Sequence, residues 1–112
     1  MKNEALTWLD DIKQAIDEIE EFLPEKRDFF EFKKDLKTRK AIERNIEIIG
    51  EAVNRILNAY PEIKITNARK IVDTRNRIIH GYDTVSEDII WAIVLNDIKK
   101  LRQEIITLLG EQ

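Results

Sequence analysis

Apolar residues recur three and four positions apart in four segments of the chain, which is the spacing of an amphipathic helix. The first stripe consists of Leu9, Ile12, Ile16, Ile19 and Leu23, and the others run through residues 36–60, 68–79 and 90–108. Pro24 and Pro61 follow the first and second stripes, and a proline ends a helix because it cannot continue the hydrogen-bond ladder. Four helices with short connections predict an all-α fold, an antiparallel four-helix bundle.

Polar residues and glycines mark where these helices should begin, end or touch. Thr66 or Asn67 is expected to N-cap the third helix and Ser86 the fourth, because these side chains accept bonds from unpaired backbone N–H groups. Gly81 suits the end of the third helix, since glycine readily adopts the left-handed conformation. Gly50 interrupts the second stripe at a cost of about 1 kcal/mol relative to alanine, which predicts close packing against another backbone.

The composition fits a single domain spanning residues 1–112. Hydrophobic residues make up 43% of the chain and charged residues 37%, whereas three glycines and two prolines are too few for the tight turns of an all-β protein. The absence of cysteine excludes a disulfide scaffold and a thiolate metal site. No apolar run approaches the roughly 18–20 residues of a membrane span, and the N-terminus lacks the order of a signal peptide, so we expect a cytoplasmic protein.

The net charge of −3 conceals two regions of opposite sign. Residues 1–31 carry ten acids and four bases, a net −6, whereas residues 64–80 carry five bases and one acid, a net +4. A local positive patch can attract a polyanion even when the whole molecule is acidic. Because solvated basic helices are common, charge alone leaves nucleic-acid binding and a plain charged surface equally open.

The end of the third helix concentrates the candidate chemistry. Residues 75–82 read Arg-Asn-Arg-Ile-Ile-His-Gly-Tyr and contain the only histidine of the chain. An imidazole transfers protons near neutral pH, and a guanidinium binds phosphate oxygens bidentately and stabilises transition-state charge. Asn76 and His80 share a helix face, but Arg75 and His80 lie about 140° apart around an ideal helix. They can converge only over the helix end, or where the helix breaks near Gly81.

These groups suit phosphodiester cleavage, but one chain carries an incomplete set. RNA supplies its own nucleophile, the 2′-hydroxyl, so no metal is required in principle. Cleavage with both a base and an acid needs two proton-transfer groups, and the chain has a single histidine. A two-fold dimer that brings two such helix ends together would supply the second group.

Purely structural roles would explain the same residues. A histidine at a helix C-terminus, such as His80, is often a dipole partner or a cap. An arginine on an apolar stripe, such as Arg75, is often a member of a buried ion pair, for which Asp73 or Glu51 could serve. Tyr82 could be a residue at the rim of the bundle. One histidine and scattered carboxylates give little support for a metal site.

On these residues the sequence resembles the HEPN superfamily of small helical bundles, and especially the HepT-like toxins of the HepT/MNT type VII toxin–antitoxin systems. The superfamily motif is an arginine, a polar residue, a short spacer and a histidine, which Arg75, Asn76 and His80 match. Tyr82 completes the Arg-x4-His-x-Tyr form of the HepT branch. Residues 41–52 also resemble the second helix of HepT-like proteins, so the resemblance covers essentially the whole chain.

The resemblance implies a metal-independent endoribonuclease that uses no cofactor and cleaves tRNA or mRNA. The family works as a homodimer, with two motifs forming a composite cleft. By this resemblance His80 would transfer the proton and Arg75 would hold and stabilise the scissile phosphate. Asn76 would orient His80 or a phosphate oxygen.

The resemblance also implies partners. On the separate ground of their positive charge, Arg69, Lys70 and Arg77 would contact the RNA. A minimal nucleotidyltransferase (MNT) antitoxin would neutralise the toxin by attaching AMP to the motif tyrosine, here Tyr82, since a bulky anion there would repel RNA. Two alternatives remain open: a non-catalytic HEPN module that binds a nucleotide or a partner protein, and a purely structural bundle.

Overall fold

A computed structural model describes residues 3–80 and 85–110 of the chain, and this part is an antiparallel all-α bundle, as predicted. The helices are α1 (Asn3–Phe22), α2 (Phe29–Lys34), α3 (Leu36–Ala59), α4 (Ala68–His80), α5 (Glu87–Ala92) and α6 (Ile98–Gly110). A π-helical turn, Ile93–Asp97, joins α5 to α6, so that these two helices and the turn form the predicted fourth helix. Within the described ranges, no helix is both long and apolar enough to cross a membrane.

The short helix α2 was not predicted from the periodicity, and two aspartates account for it. The Asp28 side chain accepts bonds from the backbone N–H groups of Phe30 and Glu31, which caps the start of α2. The Asp35 side chain accepts bonds from the backbone N–H of Thr38 at 3.0 Å and from its hydroxyl at 2.6 Å. Asp35 therefore ends α2 and begins α3, which separates the two helices.

The cap predicted for the fourth helix is confirmed, but the third helix begins differently. The Ser86 hydroxyl accepts a bond from the backbone N–H of Ile89. Asn67 stands just before α4, at a φ of 60°, in the left-handed region that asparagine tolerates better than most residues. Its side chain bonds to Asp97, and the Thr66 hydroxyl bonds to Glu104. Both polar side chains thus tie the start of α4 to the fourth helix.

The core lies between α1, α3, α4 and the fourth helix, and isoleucine dominates it. The α1 helix packs on α3 and α6, and α3 packs on α4. The largest fully buried side chains are Leu9, Ile12, Ile16, Ile19, Ile42, Ile46, Ile49, Ile56, Ile71, Ile93, Ile98 and Leu101. Each such side chain contributes about 1.5–3 kcal/mol when it leaves water, so the four apolar stripes supply the main driving force of the fold.

Candidate active site

The site is built where α4 packs closely against Gly50 of α3. A Cβ atom on residue 50 would lie 2.7 Å from Arg75 Cγ, still closer to Arg75 Cβ, and 3.4 Å from the Ile71 carbonyl oxygen. Because only glycine leaves room for the stem of Arg75, the predicted close packing at this position is confirmed. The stem of Arg75 thus passes beside Gly50, and its guanidinium reaches a side chain of α3.

Glu51, the next residue of α3, receives this guanidinium. Arg75 Nη2 donates to Glu51 Oε2, and Arg75 Nη1 donates to Asn76 Oδ1 at 2.8 Å. The other carboxylate oxygen, Glu51 Oε1, accepts from Arg55 Nε at 3.0 Å. Of the two ion-pair partners that the sequence left open for Arg75, the structure selects Glu51 rather than Asp73.

The Arg75 side chain is mostly withdrawn from water. It is 23% exposed, and its Nε is buried without a hydrogen-bond partner in the part of the chain that the structure describes. The two Nη atoms of this guanidinium each donate a hydrogen bond, one to Glu51 and one to Asn76. An anion that reaches Arg75 would compete with Glu51 for the same donor.

His80 is the last residue of α4 and is exposed. Since α4 remains helical from Arg75 to His80, the angular separation of the two side chains expected from helix geometry is retained. The structure brings Arg75, Asn76 and Glu51 together and places His80 beyond them at the helix end. Gly81 and Tyr82, the predicted helix stop and modification site, lie outside the described residues.

The three basic residues expected to contact RNA have different surroundings. Arg69 and Arg77 are exposed, and neither forms an ion pair within residues 3–80 and 85–110. Lys70 lies 2.9 Å from Asp97 Oδ2, so a carboxylate already compensates its charge. Arg69 and Arg77 are therefore better placed than Lys70 to attract a polyanion.

Asp97 is a polar residue of the site region that the sequence analysis missed. It is 5% exposed, and its second oxygen, Oδ1, accepts from Asn67 Nδ2 at 2.8 Å. The sequence feature that could have revealed Asp97 is the presence of an acid inside the apolar stripe of the fourth helix, between Val94 and Ile98. Asp97 binds residues at the start of α4. His80 ends the same helix, about 18 Å from that start at a rise of about 1.5 Å per residue.

An all-α bundle that carries Arg-x4-His at the end of α4 defines the class of HEPN-type domains. The HepT-like ribonuclease family matches residues 12–108 of this chain. The match spans 97 of 112 residues, so the chain belongs to the HepT-like ribonuclease family.

Individual relatives agree with this family. A Methanocaldococcus jannaschii protein named as an inferred RNase is 35% identical over 118 aligned residues, covering 98% of this chain and 94% of the relative. A Thermococcus cleftensis protein named as an inferred ribonuclease HepT is 39% identical, covering 91% of this chain and 93% of the relative. A second M. jannaschii protein, also named as an inferred RNase, is 33% identical over 93% and 95% of the two chains. No solved structure matches the chain. The predicted family and enzyme class are thereby confirmed.

Proposed function

We propose that this chain is a metal-independent endoribonuclease that cleaves tRNA or mRNA in a cleft shared by two copies of the chain, and that it is the toxin of a toxin–antitoxin system. One observation carries the proposal: α4 of a HepT-like bundle ends on an exposed histidine and holds Arg75 at the junction with α3. The arginine can bind the phosphate, and the histidine is one of the two proton-transfer groups that cleavage with a base and an acid requires.

The proposed reaction is an internal transfer within the RNA. The His80 imidazole removes the proton of a 2′-hydroxyl, and the resulting oxygen attacks the adjacent phosphorus. The bond from phosphorus to the 5′-oxygen breaks, and that oxygen takes a proton from the imidazolium form of a second histidine. The products are a 2′,3′-cyclic phosphate and a free 5′-hydroxyl, so atoms and protons balance. Arg75 stabilises the negative charge on the phosphate oxygens, which is largest in the transition state.

The need for two imidazoles is the reason for the homodimer. Each copy supplies one His80, and a two-fold axis close to the α4 ends would place both beside one phosphate. Asn76, which accepts from Arg75 Nη1 in the single chain, would orient that guanidinium. Arg69 and Arg77, both exposed, would draw the RNA towards the cleft.

The proposed partner is a minimal nucleotidyltransferase antitoxin that attaches AMP to Tyr82. A modification there would attach a bulky anion two residues from His80 in the sequence, which would repel RNA. The test is to incubate the protein with a purified minimal nucleotidyltransferase and ATP, and to locate any AMP by peptide mass spectrometry. Modification at another residue, or RNA cleavage that persists after Tyr82 carries AMP, would contradict this part of the proposal.

The nuclease is tested with the chain purified without an antitoxin, incubated with total RNA in EDTA. We expect the wild type to cut RNA, and the variants His80→Ala and Arg75→Ala to lose at least a hundredfold of the rate. Arg75→Lys keeps the charge but loses the planar fork, so we expect most of the activity to be lost there too. Arg102→Gln removes a charge that pairs with Asp17 on another surface and should leave the rate unchanged. Intact RNA with a folded wild-type dimer would refute the proposal.

One observation favours a second candidate, a non-catalytic nucleotide-binding module. Arg75 is already compensated by Glu51, as expected for a residue whose role is binding or structure rather than transition-state stabilisation. Calorimetry with AMP and ATP distinguishes the two candidates. Nucleotide binding that depends on Arg75, without any RNA turnover, would select the module over the nuclease.

A further inference from the structure

Beside Arg75 lies a depression of about 250 Å³ whose lining is partly apolar and partly charged. The apolar lining residues are Trp8 from α1, Ile48 and Ala52 from α3, and Ile79 from α4. Trp8 and Ile48 are half-buried, whereas Ile79 is 47% exposed. Ile79 directly precedes His80 in α4, and His80 itself is not one of the lining residues.

The charged residues that line the depression are three bases, Arg44, Arg55 and Arg75, and three acids, Asp11, Glu47 and Glu51, so their formal charges cancel. Arg44 Nη1 lies 3.0 Å from Glu47 Oε2, and the Arg44 side chain is 71% exposed. Arg55 and Arg75 share the carboxylate of Glu51, one guanidinium on each oxygen. A single anion bridging two guanidiniums is the arrangement that a phosphate makes with paired arginines, whose fork geometry matches both groups. The carboxylate of Glu51 therefore occupies a position that suits a phosphate oxygen.

We propose that this depression is a nucleotide subsite of the RNA substrate, in which a phosphate displaces Glu51 from Arg55 and Arg75 while the adjoining base packs on Trp8 and Ile79. The proposal rests on the function proposed above. A phosphodiester carries one negative charge, as Glu51 does, so the exchange leaves the charge around the arginines unchanged. Glu51 is 37% exposed, and its carboxylate can turn into water when it is displaced.

The size and the chemistry of the depression fit one base rather than a larger ligand. Its volume is below the roughly 300 Å³ at which pockets for drug-sized ligands begin. Any base can stack on an aromatic side chain, because every base has a π face. Arginines beside the aromatic side chain contact the phosphates of the nucleic-acid backbone. We therefore expect the subsite to add affinity without strong sequence preference.

Tryptophan fluorescence tests the subsite directly, because the two tryptophans of the chain lie in different places. Trp8 lines this depression, whereas Trp91 packs against Phe32, with a centroid distance of 4.9 Å, and lines a separate depression. The probe is a short oligoribonucleotide with a 2′-O-methyl group on every residue, which lacks the nucleophile and stays intact. In the Trp91→Phe variant the remaining fluorescence comes from Trp8, and we expect the probe to quench it. In the Trp8→Phe variant the fluorescence comes from Trp91, and we expect the probe to leave it unchanged.

Charge variants test the exchange of anions. Glu51→Gln removes the competing anion, so we expect the probe to bind about twofold to fivefold more tightly, the range of an exposed ion pair. Arg55→Gln should weaken binding by a similar factor. Arg102→Gln removes the same charge from a different surface and serves as the matched control. Weaker binding by Glu51→Gln, or an equal loss in Arg55→Gln and Arg102→Gln, would overturn the proposal.

The outcome for the subsite is separable from the outcome for the nuclease. Cleavage of unmodified RNA without any response of Trp8 would overturn the subsite and leave the nuclease intact. A response of Trp8 without cleavage would support the subsite and refute the nuclease. A Trp8 signal that follows protein concentration without the probe would assign the depression to contact between two copies, which also overturns the subsite.

Discussion

Replacing Gly50 with alanine sets helix propensity against close packing. Alanine is about 1 kcal/mol more favourable than glycine in the interior of a helix, and Gly50 lies well inside α3. Against this gain, the added Cβ would lie 2.7 Å from Arg75 Cγ and closer to Arg75 Cβ. Arg75 Cβ is fixed to the backbone, so the closer of the two contacts can be relieved only if α3 and α4 move apart.

The size of the effect follows from these two terms. Overpacking of a well-filled site costs typically about 1–3 kcal/mol, and contacts with the side-chain stem place Gly50→Ala towards the upper end. After the propensity gain, we expect a net loss of about 1–2 kcal/mol in the free energy of unfolding. For a domain of this size, that loss corresponds to a fall in Tm of roughly 4–10 °C.

Chemical and thermal unfolding followed by circular dichroism measure this change. Gly110→Ala is the matched control, because a Cβ there meets nothing within 4 Å, and we expect its stability to be unchanged or slightly higher. In an Arg75→Gly background both stem atoms are absent, so Gly50→Ala should become stabilising, with a coupling of about 1–3 kcal/mol between the two sites. A Gly50→Ala variant as stable as the wild type, with no coupling to Arg75, would refute the argument.

Three further expectations follow from the contacts that hold the bundle together. Asp97→Ala should lower the unfolding free energy by about 1–3 kcal/mol in urea titrations, because the hydrogen bond from Asn67 and the ion pair with Lys70 are lost at a buried carboxylate; an unchanged value would contradict its role. The pKa of Asp17 is lowered from 3.8, first by its hydrogen bond with Lys13 and also by Arg102. The ionised Asp17 therefore stabilises the folded state above the pKa of the unfolded chain, and this contribution is lost as the pH falls through the lower pKa of the folded state. Asp17→Asn should therefore lose up to about 1 kcal/mol at neutral pH and match the wild type well below pH 4, and a gap that persists in acid would be inconsistent with this. Sedimentation should show weaker dimerisation at low salt that added phosphate restores, because positive helix ends would face each other.

The long helices could be predicted from the sequence because each buries one continuous stripe, and periodicity reports such a stripe directly. The helix α2 could not, since its six residues are too few to show a period. Asp35 is the residue that separates α2 from α3, and its side chain bonds to Thr38, three positions on. A local signal was therefore present, but an aspartate between two helical segments reads equally well as a surface residue of one continuous helix.

The polar contacts of Thr66 and Asn67 with the fourth helix could not be predicted, because each depends on a partner distant in sequence. Asn67 and Thr66 were expected to cap α4, which is the common local use of these side chains. They bond instead to Asp97 and Glu104, 30 and 38 residues away. The π-helical turn ends at Asp97 and lies within the apolar pattern of the fourth helix without interrupting it, so the spacing of Val94, Ile98 and Leu101 gave no sign of it.

Arg75 shows why the candidate site could be located from sequence although its geometry could not. A well-packed apolar pair of similar volume is often as stable as a partly buried ion pair or more stable, so stability alone gives little reason to keep Arg75 and Glu51 on facing helices. Gly50, directly before Glu51, sacrifices about 1 kcal/mol of helix propensity to admit the arginine. Gly50 and Glu51 are thus two adjacent residues of α3 that accommodate the guanidinium of Arg75 although other residues there would be at least as stable. Such local conflicts are expected where function rather than stability selects the residues, and this favours a functional role for Arg75 over a purely structural ion pair.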